Sequence, residues 1–245
     1  MARFDGAPEG AISPGRDTAS PRAGAPRDQG EAQVTTDRRT AIVAAGYDAL
    51  GDGYRAWAAG VLDPREPMLE AFSATLERGA RVLDLGCGAG LPSTKALAAR
   101  FDVTGVDVSA MQIEAARREV PQASFILADL ARVDFPAGSF DGVTALYVIP
   151  HVPREGHRGL FGRVARWLVP GGRFLAVLGS TDSPDWIGEW LGQPMFFSSY
   201  DADANRRLLV EAGFDLLIDE TVETMEPEGP VAFQWVIARR VRPAR

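Results

Sequence analysis

Short apolar runs alternate with helical stripes through most of this chain. Val82, Leu83 and Leu85 make the first run, the continuous kind that a strand buried on both faces requires. Val103–Asp107, Phe125–Asp129, Phe140–Ile149 and Phe174–Leu178 repeat it. Two late runs, Leu216–Val222 and Val231–Ala238, are split by a Pro/Gly/Glu turn. Between the runs the period changes. Met68, Leu69, Phe72 and Leu76 trace one face of a helix that opens at Pro67 and stops at Gly79. Ser109, with Gln112 three residues on, makes a capping box for a helix reaching about Glu119. Leu160, Phe161, Val164, Trp167 and Leu168 mark a further face, stopped at Pro170-Gly171-Gly172, and a last helix over Asn205–Ala212 ends at Gly213. This alternation predicts an α/β fold: a parallel sheet covered by helices on both faces, with ligands at the carboxyl ends of the strands.

Ahead of the sheet, Thr40–Leu62 is alanine-rich with helical spacing and carries Tyr47, Tyr54 and Trp57. Glycines at 46, 51 and 53 divide it into two short helices. Residues 1–38 hold few large apolar side chains (Phe4, Ile12 and Val34), too few to offset the entropy of ordering them. The expectation is therefore a disordered tail over 1–38 and a single domain over 39–245.

Composition narrows the function. The chain is 46% hydrophobic and 24% charged, ordinary for a globular protein. A net charge of -7 argues against holding nucleic acid through its phosphates. The single cysteine, Cys87, excludes an intrachain disulfide and a thiolate metal cluster, and no metal is expected. There is no apolar run of membrane-spanning length and no secretory leader pattern, so the expected location is the cytoplasm. Monomer and homodimer both stay open.

The chemistry centres on VLDLGCGAG, residues 82–90. Gly86, Gly88 and Gly90 follow a strand and precede a helix, so the main chain can turn sharply and a ligand can lie close against it. Acids stand at three successive strand ends. Asp107 is placed to accept the hydroxyls of a ribose, Asp129 the exocyclic amine of an adenine between Val108 and Leu130, and Asp84 faces the other end of such a ligand. The glycine spacing departs from the dinucleotide fingerprint, with Leu91 where its third glycine belongs.

With VTGVDVS, FILADL, SFDGVTALYVIPHV and WLVPGGRFL in order behind it, the loop resembles the class I S-adenosylmethionine-dependent methyltransferases of small-molecule type. The resemblance covers roughly residues 80 to 180. It implies a Rossmann-like doubly wound sheet of seven strands, the last antiparallel, under an N-terminal helical lid. It implies S-adenosyl-L-methionine as cofactor, with Gly86, Cys87, Gly88 and Gly90 near the methionine part, Asp107 on the ribose, and Asp129 and Leu130 at the adenine. Ala145 would offer backbone to the ammonium, and Tyr47 and Tyr54 would close over the cofactor. Other methyltransferase signatures are missing: the cysteines of arsenite enzymes, the Asn/Asp-Pro-Pro motif of amino-methylating DNA enzymes and the acids of catechol-type metal sites.

The acceptor reads as a small, partly hydrophobic molecule. Residues 186–200 carry Trp186, Trp190, Phe196, Phe197 and Tyr200, a dense aromatic loop that predicts an apolar pocket wall, with Trp57 and Tyr147 facing it. Replacing Trp190 or Phe196 by Ala is expected to raise the acceptor KM. His151, just past the fourth strand, is the candidate base, while His157 is expected at the surface. Two other readings stand beside methyl transfer: an adenosylmethionine-binding enzyme with non-methyl chemistry, and a nicotinamide-dependent oxidoreductase.

Overall fold

The computed structural model describes residues 37–58, 60, 64–226 and 229–241. The tail expected over 1–38 lies outside these residues, apart from Asp37 and Arg38. Two helices come first, α1 (Arg38–Ala58) and α2 (Arg65–Ser73). The alternating body follows: β1 (Arg81–Leu85), α3 (Ser93–Ala98), β2 (Asp102–Asp107), α4 (Ala110–Glu119), β3 (Ser124–Leu127), β4 (Phe140–Ala145), α5 (His157–Trp167) and β5 (Leu168–Gly179). The chain closes with β6 (Ser183–Trp190), β7 (Gln193–Ser199), α6 (Ala202–Glu211), β8 (Phe214–Glu226) and β9 (Gly229–Arg240).

Seven strands form one sheet in the order β3-β2-β1-β4-β5-β9-β8. The pairs β1/β2, β2/β3, β1/β4 and β4/β5 are parallel, and β9 runs antiparallel between β5 and β8. The seven strands and the antiparallel last strand are as expected. Strand alternation sends successive side chains to two cores. Leu83, Leu85, Val143 and Phe174 pack with Phe161 and Val164 of α5 and Leu209 of α6, while Val82, Val103, Leu175 and Trp235 pack with Phe72 of α2 and Leu97 of α3. The strand order reverses between β1 and its neighbours β2 and β4, which opens a crevice at their carboxyl ends.

Several boundaries move for local reasons. α1 is two helical pieces joined at Gly51, whose φ of 47° and ψ of -126° no helix contains. α2 starts two residues before Pro67, which sits within its first turn where a missing N–H costs nothing. The fourth run ends at Ala145, because Tyr147 takes a φ of 61° and Ile149–His151 form a 3-10 turn. The aromatic stretch at 186–200 is not a loop. It is the β6–β7 hairpin, a separate two-stranded sheet turning at Leu191 and Gly192, both with positive φ. That is the backbone of the tight turns that suit the twist of paired strands.

Candidate functional site

The glycine loop is fixed to β2 by its own backbone, with the Gly86 and Cys87 N–H groups donating to Val106 O at 2.8 and 3.1 Å. Its three glycines, all at positive φ, serve different ends. A Cβ on Gly86 would stand 2.3 Å from Val148, and one on Gly90 would stand 2.9 Å from Val120, so these two are demanded by the protein's own packing. At Gly88 the nearest atom is Gln112 Oε1 at 3.8 Å. That glycine opens onto a groove of about 1280 Å³ lined by Asp84, Gly86, Gln112, Pro92 and Tyr147, among others.

The three acids differ. Asp107 accepts from the N–H of Gly88 at 2.8 Å on one oxygen and from that of Ser109 at 2.9 Å on the other. Burial pushes its pKa up against those two bonds. Each oxygen keeps a further lone pair for a ligand. Asp84 is buried, with Thr94 Oγ1–H donating to it at 2.6 Å and Thr144 Oγ1–H at 2.7 Å, so it ties β1 to α3 and β4. Desolvation raises its pKa to about 6, with the two hydroxyls working the other way. Asp129 accepts the Ala131 N–H at 2.8 Å on one oxygen; the other is buried without a hydrogen-bond partner among the described residues, Arg132 Nε standing 4.0 Å off.

Gln112 Oε1 is a second buried acceptor without a hydrogen-bond partner among the described residues. An open glycine cradle, a carboxylate with lone pairs to spare and two buried acceptors without hydrogen-bond partners among the described residues fit an adenosyl ligand, which offers hydroxyls and an exocyclic amine. Leu130 is buried near Asp129, and Val108 packs under α1. Cys87 lines the groove, but its sulfur lies 2.8 Å from where a Cβ on Gly105 would be, and burial pushes the thiol well above its usual range. The Ala145 side chain is in the core, so only its backbone is available.

A second void of about 50 Å³ adjoins the groove, sharing Tyr54, Ala58, Arg65 and Tyr147 with it. Tyr47, Trp57, Pro150, His151, Trp190, Phe197, Phe233 and Thr224 complete its wall. The rings meet edge to face: Tyr47 on Tyr54 at 5.1 Å, Trp57 on Trp190 at 5.2 Å, Tyr147 on Phe233 at 5.0 Å. Gly46 lets α1 press against β7, where a Cβ would stand 2.8 Å from Met195 and from Pro194 O.

His151 is held from two sides. The carbonyl of Phe196 can only accept, so Nδ1 carries a proton and donates to it at 2.9 Å. Desolvation lowers the imidazole pKa to about 4, the Phe196 bond opposing it, and the ring is neutral near pH 7. Nε2 then accepts from the Tyr47 hydroxyl at 2.8 Å. One histidine thus links the end of β4, α1 and the hairpin.

Three residues expected at the acceptor do not line this cavity. Trp186 is 43% exposed, its indole folded over Gly188. Phe196 points to the opposite face of β7, beneath the Arg39 guanidinium. Tyr200 packs against His157 and Arg154. Period-2 alternation explains this: Phe197 faces the cavity, so its neighbour Phe196 cannot. His157 is not at the surface; it is buried and donates from Nε2 to Val152 O at 2.9 Å. Conversely, Gln112, Arg65, Phe233 and Thr224 were not foreseen as site residues. Gln112 showed only its capping signal, and Phe233 and Thr224 come from late strands that carry no motif.

Residues 82–172 match the methyltransferase domain family. The sterol 24-C-methyltransferase of Saccharomyces cerevisiae is 29% identical over 183 residues, 65% of this chain and 45% of that protein. The 27-O-demethylrifamycin SV methyltransferase of Amycolatopsis mediterranei is 38% identical over 105 residues, 40% of this chain and 38% of that protein. The chain thus spans less than half the length of these curated relatives. The fold is shared with the 1,6-didemethyltoxoflavin-N1-methyltransferase of Burkholderia thailandensis, solved with 1,6-didemethyltoxoflavin and S-adenosylhomocysteine, at a TM-score of 0.65 and 21% identity over 86% of this chain and 93% of that one.

Proposed function

We propose that the chain, whose residues 82–172 match the methyltransferase domain family, is a class I S-adenosylmethionine-dependent methyltransferase whose small, partly hydrophobic organic acceptor reaches into the aromatic cavity. One observation carries the reading: the glycine-loop groove and the aromatic cavity share a wall, so a donor in one and an acceptor in the other are in reach of each other. The cofactor supplies a methyl group activated on a sulfonium, transferred by in-line displacement.

The chain's own residues bind, orient and exclude water. Asp107, Gln112 and Asp129 hold the adenosyl part through their acceptor oxygens, and Gly88 leaves room for close approach of the main chain. The interlocked rings of Tyr54, Trp57, Trp190 and Phe197 keep the acceptor dry and oriented. Tyr47 lines the cavity with its hydroxyl proton committed to His151 Nε2, and His151 holds that ring in place as a positioning residue. Moving a proton from a phenol-like acceptor, of ordinary pKa near 10, onto a histidine of pKa about 4 is uphill by about 6 units, or about 8 kcal/mol. An acceptor that is nucleophilic without prior proton loss, such as a neutral amine, a ring nitrogen or a carboxylate, fits this site best.

Calorimetric titration tests the reading. S-adenosylhomocysteine is expected to bind, NADH is not, and Asp107→Ala is expected to weaken the adenosyl ligand at least tenfold. Binding of NADH in its place, or of neither, would overturn the proposal.

A further inference from the structure

Resting on that reading of the cavity, we propose that Thr224 selects the acceptor by hydrogen-bonding a polar substituent that enters among the aromatic rings. Thr224 lies on β8, is 3% exposed and lines the cavity. Its Oγ1 is buried with no hydrogen-bond partner among the described residues. Ile218 and Val222, at positions of the same alternation, are partly buried against the core, and Thr224 is more deeply buried than either. Valine would have the same shape without the hydroxyl. Phe233 and Tyr147 beside it add ring faces and edges. The Tyr47 hydroxyl and both His151 nitrogens are already engaged with one another or with Phe196.

A buried hydroxyl with nothing to bond is a destabilising feature unless a ligand completes it. Sites that hydrogen-bond a substrate group discriminate strongly against analogues lacking that group, because the protein atom is then left unpaired. The void of about 50 Å³ admits a few water-sized positions and is well below the roughly 150 Å³ that holds a benzene ring. What enters is therefore a small polar group, a hydroxyl, carbonyl or amine. The planar apolar body that bears it lies along the wall of Tyr54 and Tyr147 shared with the groove. The class inferred is a small aromatic or otherwise flat molecule with a polar substituent able to reach β8.

The test uses phenol and toluene, two rings of like size with and without a hydroxyl. Each is titrated into the full chain loaded with S-adenosylhomocysteine and followed by tryptophan fluorescence. The wild type is expected to prefer phenol, Thr224→Ser to keep the preference, and Thr224→Val to lose it by at least tenfold, with unchanged affinity for S-adenosylhomocysteine. Without probe, Thr224→Val is expected to raise the unfolding temperature by about 2–4 °C, since an unpaired hydroxyl is removed. An equal phenol preference in wild type and Thr224→Val overturns the assignment. So does a lowered unfolding temperature in that variant, which would mean that a bound water or the protein itself satisfies the hydroxyl. Failure of S-adenosylhomocysteine to bind the wild type would count against the methyl-transfer reading instead, so the two are separable.

Discussion

Asp84 and His151 are buried ionisable groups whose titrations oppose each other. Asp84 holds its proton up to about pH 6, against an ordinary 3.8. The stability of its protonated form is present below 3.8 and lost as pH rises through 6. His151 sheds its proton at about 4, against 6.5, so its contribution is present above 6.5 and lost as pH falls through 4. At 1.36 kcal/mol per unit each effect is about 3 kcal/mol, and between pH 4 and 6 they nearly cancel. Urea midpoints measured across this range are expected to rise with pH in Asp84→Asn, relative to wild type, and to fall in His151→Gln. Parallel profiles in the two variants would contradict this. Because His151 stays neutral, acceptor turnover is expected to show no ionisation between pH 5.5 and 8 that His151→Gln removes. At this scale the acids were legible in the sequence because strand end and glycine loop are adjacent along the chain. The Tyr47–His151–Phe196 link was not, since it joins residues 104 and 45 positions apart.

Among the elements, α1 and the hairpin carry the cavity, and each has a point of weakness. Gly51 bends α1 at a positive φ between Tyr47 and Tyr54. Gly51→Ala puts a side chain where L residues are strained and is expected to cost about 1–3 kcal/mol, visible as a fall of several degrees in unfolding temperature. In the hairpin, Trp190 packs with Tyr47, Tyr54, Trp57 and Phe197, while Trp186 stays on the outer surface. Steady-state kinetics should show Trp190→Ala raising the acceptor KM about tenfold or more, and Trp186→Ala leaving KM near the wild-type value. Helices and central strands were readable because their period is local. The hairpin was not legible because Ile187, apolar and next to Trp186, breaks the apolar/polar alternation that marks a half-buried strand. Its turn residue Leu191, at a φ of 50°, is a poor turn former that gave no signal.

Over the whole molecule, the seven strands and the antiparallel last strand were implied by the resemblance and hold, with a crevice where the sheet order reverses. The junction between groove and cavity was invisible in the sequence, because the cavity wall draws on α1, α2, the turn after β4, the hairpin, β8 and β9 at once. The division of labour has one further consequence. The groove is lined by the glycine loop together with α1, α2 and α3, whereas the hairpin lines none of it and shares no strand pairing with the seven-stranded sheet. Such an appendage can be rewritten, lengthened or transplanted with little disturbance to the machinery that binds the donor. Changes of acceptor across lineages, and attempts to retarget the protein in the laboratory, would then fall on Trp190 and Phe197 of the hairpin and on Thr224 of β8, while the groove is inherited intact.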